Sequence, residues 1–417
     1  MSSTDLLQPH PAEVDDELGL LIKEARARQR RRWAVVSILL VAGIAACAEF
    51  GLGGGRSAPR SHATPRRPAI KFETVRQTAG AATLSNVNSV DFVNADTGWV
   101  LTNDSTRLLA TVDAGRHWTG ISPPVLRRSG WIVDGTFTRS RTDLWVGVSK
   151  NVAEQTDVEL LNSTNDGKSW TDRGVFPRGG GYVWPYFVSQ SRGWLMVDNG
   201  AASGSDWVTI YTTASAGKHW TLLARPTFPT DTAETGTPDA PSSGCDKEGI
   251  TFASSNSGWI GEYCNGGPVT LQRSVDGGRK WQLTRLNTNE QGGFADAPSF
   301  FNAADGVSAA GGISSTTGTV IFTTTNGGRN WKQHEVPASN GGPVDALSPT
   351  TWFVSSGQTI YQTTNAGVTW ASRRSPTASN AIGRGDLDFV NLDDGWVVTA
   401  SGSLWHTTNG GRSWTRS

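Results

Sequence analysis

One pattern constrains this chain more than any other: Ser/Thr-x-Asp/Asn-x-Gly-x-x-Trp, which recurs seven times between residues 111 and 414. The copies run from Thr111 to Trp118, Ser163 to Trp170, Thr213 to Trp220, Ser274 to Trp281, Thr324 to Trp331, Thr363 to Trp370 and Thr407 to Trp414. The third has Ser215 where the others have Asp113, Asn165, Asp276, Asn326, Asn365 and Asn409. Each residue type has a physical task. A short Asp or Asn side chain folds back onto turn amides. Gly accepts a positive φ that a Cβ resists. The hydroxyl bonds across the turn, and the Trp enters the next strand and packs into the apolar layer. Each copy therefore reads as a hairpin turn between two strands.

A second pattern, Phe-x-x-x-x-x-Gly-Trp, precedes the first. Its clear copies are Phe92 to Trp99, Phe187 to Trp194, Phe252 to Trp259 and Phe389 to Trp396. Weaker ones are Phe137 to Trp145, Phe301 to Val307 and Leu347 to Trp352. Together the two patterns spell strand, turn, strand, loop, strand, turn, strand. That is a four-stranded meander of about 40 to 60 residues, the size of a propeller blade. Repeated seven times, it predicts an all-β chain folded as a seven-bladed β-propeller. Ile70 to Gln77 alternates like a strand, and it is expected to supply the outer strand of the last blade.

The turn pattern resembles the Asp-box, or BNR, repeat. The whole of residues 70–417 resembles the photosystem II stability/assembly factor family. That resemblance implies a seven-bladed propeller that assembles or stabilises membrane protein complexes by binding them. The N-terminal segment departs from the family pattern, which puts a photosystem role in doubt.

Residues 1–32 are polar and end in a basic cluster, Lys23, Arg26, Arg28, Arg30, Arg31 and Arg32. An apolar run from Trp33 follows, and 33–52 is read as a transmembrane or signal-anchor segment. Bases before such a run are retained in the cytoplasm, so the remainder lies outside a bacterial membrane. Three fates of the run compete. A retained anchor is preferred, because the charged region before it is long for a signal peptide. Lipidation of Cys47 in Ile44-Ala45-Ala46-Cys47 is second, and cleavage near Ala48 is third. Residues 53–69 form a Gly/Pro/Arg linker.

Net charge is zero, which excludes a general nucleic-acid binder, since phosphate neutralisation needs a basic excess. Cys245 and Cys264 fall roughly opposite each other in a predicted hairpin, and an oxidising exterior favours a disulfide there. No phosphate loop, nucleophile elbow or metal-ligand spacing occurs, so no cofactor and no metal are expected. A glycan-binding or glycoside-hydrolase (sialidase-like) propeller is the alternative. The hydrolase needs paired carboxylates, or an arginine cluster with a Tyr nucleophile and its Glu partner. Glu262 and Tyr263 are adjacent and point to opposite faces of a strand, so they are poorly placed to cooperate. The repeat residues Asp113 and Asp276 have the spacing of a turn.

The expected activity is thus binding rather than catalysis, with a protein partner. Repeat turns share one end of the ring, and the longer loops lie at the other. Tyr182, Trp184, Tyr186, Arg127 and Arg128 fall in those loops and are the candidate partner contacts. Trp184 and Trp131 are read equally well as core residues that start inner strands.

Overall fold

The computed structural model describes residues 70–71, 84 and 86–417, apart from 141, 151–156, 178–181, 202–205, 227–236, 238, 288–290, 313–317, 338–341, 357 and 377–386. Residues 1–32, expected to be cytoplasmic, the apolar run with Cys47, the expected linker and Phe72 to Gln77 lie outside the described residues. Among the described residues no helix is long and apolar enough to cross a membrane. The helical element among the described residues is a 3-10 turn, Pro124–Arg127.

The rest is strand and turn. After β1 (Ile70–Lys71), the first meander comprises β2 (Val87–Phe92), β3 (Gly98–Thr102), β4 (Leu108–Thr111) and β5 (Thr119–Gly120). Next come β6 (Trp131–Ser140), β7 (Asp143–Lys150), β8 (Val158–Ser163) and β9 (Ser169–Phe176). They are followed by β10 (Val183–Phe187), β11 (Gly193–Ala201), β12 (Asp206–Thr213) and β13 (Thr221–Ala224). The fourth group is β14 (Asp246–Phe252), β15 (Gly258–Pro268), β16 (Thr270–Ser274) and β17 (Gln282–Arg285). The fifth is β18 (Gln291–Ala295), β19 (Ser299–Phe300), β20 (Gly306–Gly312), β21 (Val320–Thr324) and β22 (Lys332–His334). Then come β23 (Val344–Ala346), β24 (Trp352–Ser356), β25 (Thr359–Thr363) and β26 (Ala371–Arg374). The last are β27 (Leu387–Phe389), β28 (Asp394–Val398), β29 (Leu404–Thr408) and β30 (Thr415–Arg416).

These strands form four four-stranded sheets, a five-stranded sheet in which β1 joins β6 to β9, and a nine-stranded sheet from β14 to β22. The nine-stranded sheet arises because β15 runs past its own meander and pairs with β18, Glu262 opposite Ala295 and Cys264 opposite Gly293. All pairings are antiparallel, as hairpin connections require.

An aromatic relay joins neighbouring sheets, and it explains the Phe-x-x-x-x-x-Gly-Trp pattern. Phe92 pairs across the hairpin with Gly98. A Cβ on Gly98 would lie 2.4 Å from the Phe92 ring, so only Gly leaves room for it. Gly193, Gly258 and Gly395 receive Phe187, Phe252 and Phe389 in the same way. The other face of each ring stacks on the preceding sheet: Trp145 on Phe187 at 4.1 Å, Trp194 on Phe252 at 3.6 Å. The last sheet closes on the first by the same contact, Trp396 on Phe92 at 3.5 Å. The repeat-turn Trp then meets the same ring edge-on, as Trp118 meets Phe92 at 6.2 Å and Trp281 meets Phe252 at 6.2 Å. Each such pair contributes about 0.5 to 1.5 kcal/mol beyond its buried area.

Several sequence expectations shift by a residue. The ring over Gly306 is Phe300, not Phe301. At β23 and β24 the sizes are exchanged: Ala346 faces Trp352, and the stacking on Phe389 is done by Phe353 at 3.6 Å. In the second meander Thr138 faces Leu144, and Phe137 faces Trp145. Thr138 is too small to stack, and a cavity of about 30 Å³ between Trp99, Thr138 and Trp145 marks the place. That is room for a water but not for a metabolite.

The expected place of the N-terminal strand is corrected. β1 lies on β9, Ile70 opposite Trp170, not on the last sheet. The outer position of the last sheet is already filled by β30, from the residues after Trp414. Closure instead uses Leu84, whose N–H donates to Ser417 O at 3.0 Å, and Val87, whose N–H donates to Gly402 O at 2.9 Å.

Candidate functional site at the long-loop end

The two ends of the sheets differ in kind. At one end, repeat turns are tied to the first turns of their own meanders. Ala114 N–H donates to Asp96 O, Gly277 to Asn256 O, Gly327 to Ala304 O, and Gly410 to Asp393 O, each at 2.8 Å. Inside the turn, Ser274 Oγ donates to Asp276 Oδ1 at 2.9 Å and accepts from Gly278 N–H at 2.8 Å. Asp276 Oδ1 also accepts from Arg279 and Lys280 N–H, both at 3.0 Å. Asn165, Asn326, Asn365 and Asn409 accept from the residue four places on, at 2.9 to 3.0 Å. Ser215 does the same with a hydroxyl, accepting from His219 N–H at 3.0 Å. Asp113 accepts from His117 N–H at 2.9 Å and meets its ring at 2.5 Å.

These carboxylates are engaged by their own turns. Partial burial pushes Asp113 up, but hydrogen bonds from His117 and Thr111 outweigh it and hold the group below the ordinary carboxylate range. Asp276 is lowered in the same way, burial being outweighed by the Lys280 amide and the Ser274 hydroxyl. The turns also place two consecutive residues at positive φ, at 61° and 86° for Ala114 and Gly115. The motif specifies Gly only at the second of these positions. Of the repeat Trp residues, Trp170 and Trp281 are buried, and Trp118, Trp220, Trp331, Trp370 and Trp414 are half-buried.

The opposite end carries the longer connections. Arg127, the last residue of the 3-10 turn, and Arg128 after it are exposed there, and Trp131 is half-buried nearby. Tyr182 is half-buried and packs 6.1 Å from Trp184. Two of the aromatic candidates are corrected. Trp184 is 5% exposed and Tyr186 is 2% exposed, both in the core. Tyr186 Oη donates to Phe252 O at 2.6 Å, across to the next inner strand. Both lie within β10, whose five residues include four apolar or aromatic side chains flanking Pro185, so the strand is buried on both faces. The candidate surface reduces to Tyr182, Arg127 and Arg128.

Sequence reasoning missed a charged group buried at this end. Lys247 Nζ lies 3.2 Å from Glu262 Oε1, and both side chains are fully buried. Glu262 also accepts from Thr270 Oγ1 and from Gln272 Nε2, each at 2.6 Å. Lys247 Nζ donates to Cys245 O as well. Asp206, at the start of β12, accepts from Lys247 N–H at 2.8 Å. Burial pushes the Asp206 carboxyl up to about 6, with help from Asp246 and Glu248 and against the Lys247 amide and ammonium. Cys245 and Cys264 form a disulfide beside this group. Alternation in β14 and β15 places Lys247 and Glu262 opposite one another. That pairing was readable once the hairpin was drawn, but Asp206 lies 41 residues away and left no such trace.

The inner strands hold a second group that the motifs hid. Asp388 Oδ2 accepts from Phe92 N–H at 2.6 Å, and Asp345 Oδ2 accepts from Phe389 N–H at 2.5 Å. These acids are 0% and 1% exposed. Each precedes the relay position of its own sheet and reaches the backbone of the next, so they bind sheet to sheet around the closure. Among the described residues one cluster, Cys245, Glu262 and Cys264, has the spacing of metal ligands. Its sulfurs are bonded to each other and its carboxylate is held by Lys247, Thr270 and Gln272, so it does not fit a metal in this state.

No protein-family model matches the chain, and no curated protein sequence matches it. Solved structures do match. One described as YCF48 bound to D1 peptide aligns with a TM-score of 0.53 at 15% identity, covering 82% of this chain and 99% of that one. YCF48 from Cyanidioschyzon merolae aligns at 0.48 and 18% identity, over 82% and 99% of the two chains. An ancestral GH74 enzyme aligns at 0.51 and 13% identity, over 83% of this chain and 48% of that one. At such identities the likeness is one of fold, and it identifies the sheets as blades of a β-propeller.

Proposed function

We propose that this chain is a seven-bladed β-propeller with Asp-box turns that binds a protein partner through its long-loop end, as a scaffold or assembly factor for membrane complexes. The nine-stranded sheet counts as two blades in this reading, and the five-stranded sheet as one blade plus β1. The propeller stands on the outer side of a bacterial membrane, held by the apolar segment 33–52. Binding and not catalysis is its activity.

The observation that carries the reading is the state of two inner-strand acids, Asp345 and Asp388. A glycoside hydrolase needs two carboxyl groups roughly 5 to 10 Å apart, open to a sugar. Asp345 and Asp388 are buried and accept backbone N–H groups, so they offer nothing to a substrate. The fold likeness to a YCF48 structure holding a D1 peptide supports a peptide or protein ligand, since this chain spans nearly all of that one. The GH74 likeness favours the second reading, a glycan-active propeller, but it spans less than half of that enzyme. The test is crosslinking with affinity purification of the full chain from membranes, run beside a glycan panel. A recurrent protein partner and no glycan binding or cleavage are expected. Glycan hydrolysis with no recovered partner would sink the proposal.

A further inference from the structure

The charged group at the long-loop end spans two neighbouring meanders and abuts the strand β18 of a third. Asp206 belongs to β12 and Lys247 to β14. Glu262 lies in the part of β15 that pairs with both β14 and β18. Asp206 N–H also donates to Cys245 O at 3.4 Å, so the Cys245 carbonyl meets both the Asp206 backbone and the Lys247 ammonium. Gln272 ties the group to the connection before β14, donating to Ser242 O at 3.0 Å and accepting from Ser242 N–H at 2.9 Å.

Burying such a pair is costly. Desolvation of two ions offsets most of their attraction, and water gains by reaching them. Something must hold the surrounding backbone shut, and the disulfide is placed to do so. It joins the residue before β14 to the point where β15 passes to β18. Its two cysteines differ in exposure. Cys245 is half-buried, whereas Cys264 is 3% exposed. Cys264 Sγ lies 3.7 Å from Thr270 Oγ1, which itself donates to Glu262.

We propose that Cys245–Cys264 is a redox-operated clamp on the buried Asp206–Lys247–Glu262 group, and that a dithiol reductant opens the long-loop ends of β12, β14, β15 and β18 together while the ring stays closed. The thiolate of the reductant attacks Cys245 Sγ, the S–S bond breaks, and Cys264 leaves as a thiolate that takes up a proton. The second thiol of the reductant then displaces Cys245 from the mixed disulfide. Two electrons and two protons pass to the protein, and the dithiol ends as its own disulfide. The Cys264 thiol finds a hydrogen-bond acceptor already in place in Thr270 Oγ1. The relay seams and the Asp345 and Asp388 bonds do not depend on the disulfide, so the rest of the ring has no reason to open. That the clamp sets whether a partner surface is formed rests on the proposed function; the opening itself does not.

The test is hydrogen–deuterium exchange on the full chain in a Cys47→Ser background, oxidised and after treatment with dithiothreitol. Expected is at least tenfold faster exchange in 206–210, 245–252, 258–271 and 291–295, with 98–120, 352–374 and 394–416 unchanged. Unchanged exchange everywhere would overturn the clamp, and so would chain-wide opening. A Cys245→Ser/Cys264→Ser double variant should show the reduced footprint without reductant, and its failure to fold would equally overturn the claim that the ring stays closed. Glu262→Gln, with the disulfide intact, should loosen the same segments to a smaller extent. Opening with undiminished crosslinking of the partner would remove the partner from this end and leave the clamp standing.

Discussion

At the turn end, the polar side chains of the repeat bond within four residues of themselves. Asp276 meets Ser274, Arg279 and Lys280, and Asn409 meets Thr407 and Ser413. At the long-loop end the bonds reach much further: Gln272 to Ser242 over 30 residues, Lys247 to Asp206 over 41. The first end is a local device copied around the ring. The second is assembled from different meanders and occurs once among the described residues. A repeated local turn stabilises the scaffold, whereas a unique arrangement is where one blade can be told from another, as recognition requires.

The difference can be broken experimentally from either side. The largest effect is expected from Glu262→Ala, which leaves Lys247 charged and buried without its partner. Urea denaturation should show a loss of about 3 to 5 kcal/mol, against almost none for an exposed charge such as Lys168→Ala. A Cβ on Gly328, at the turn end, would meet the Trp259 ring at 2.1 Å, and its φ is 71°. Gly328→Ala should therefore cost about 3 kcal/mol by overpacking and backbone strain. If Glu262→Ala proved the milder of the two, the long-loop charges would not be the more demanding region.

Asp206 sharpens the comparison through pH. Its folded pKa of about 6 stands above the ordinary 3.8, so the folded state holds the proton more tightly than the unfolded one. The associated stability is present below about pH 4 and lost as pH rises through 6, up to about 3 kcal/mol in all. Asp246, Lys247 and Glu248 face the same group and tune that window. Asp206→Asn should flatten the stability profile between pH 4 and 6. Equal slopes in both proteins would contradict the assignment. Asp113 and Asp276 are shifted the other way, so their turns lose stability only on acidification. The smallest effect belongs to the turns. Ala366 sits at φ 55°, where Gly stands in three sister turns, at 277, 327 and 410. Ala366→Gly should raise the melting temperature slightly, by the equivalent of about 0.5 to 1 kcal/mol.

The same contrast sets what could be read without a structure. The turn residues were legible because their partners are fixed by spacing alone. The Phe-over-Gly relay was half legible: the pattern was visible, but Thr138 facing Leu144 and Ala346 facing Trp352 needed the strand register. The Gly-rich stretch before Trp184 and Tyr186 reads as a loop presenting aromatic anchors, with Trp184 equally readable as a core residue. The structure buries them, since β10 packs between β6 and β14. Asp345 and Asp388 gave no sign, because a lone acid before an apolar residue looks like an ordinary exposed strand position. Their partners are backbone amides 44 and 296 residues away.

The measurement that bears most directly on the account is site-specific photocrosslinking of the full chain in intact cells. One probe replaces Arg128 at the long-loop end, and another replaces Arg329 at the turn end, both exposed positions. The account predicts a discrete protein adduct from position 128 and none from 329. An adduct from 329 alone would contradict it and move the partner to the end assigned here to scaffold.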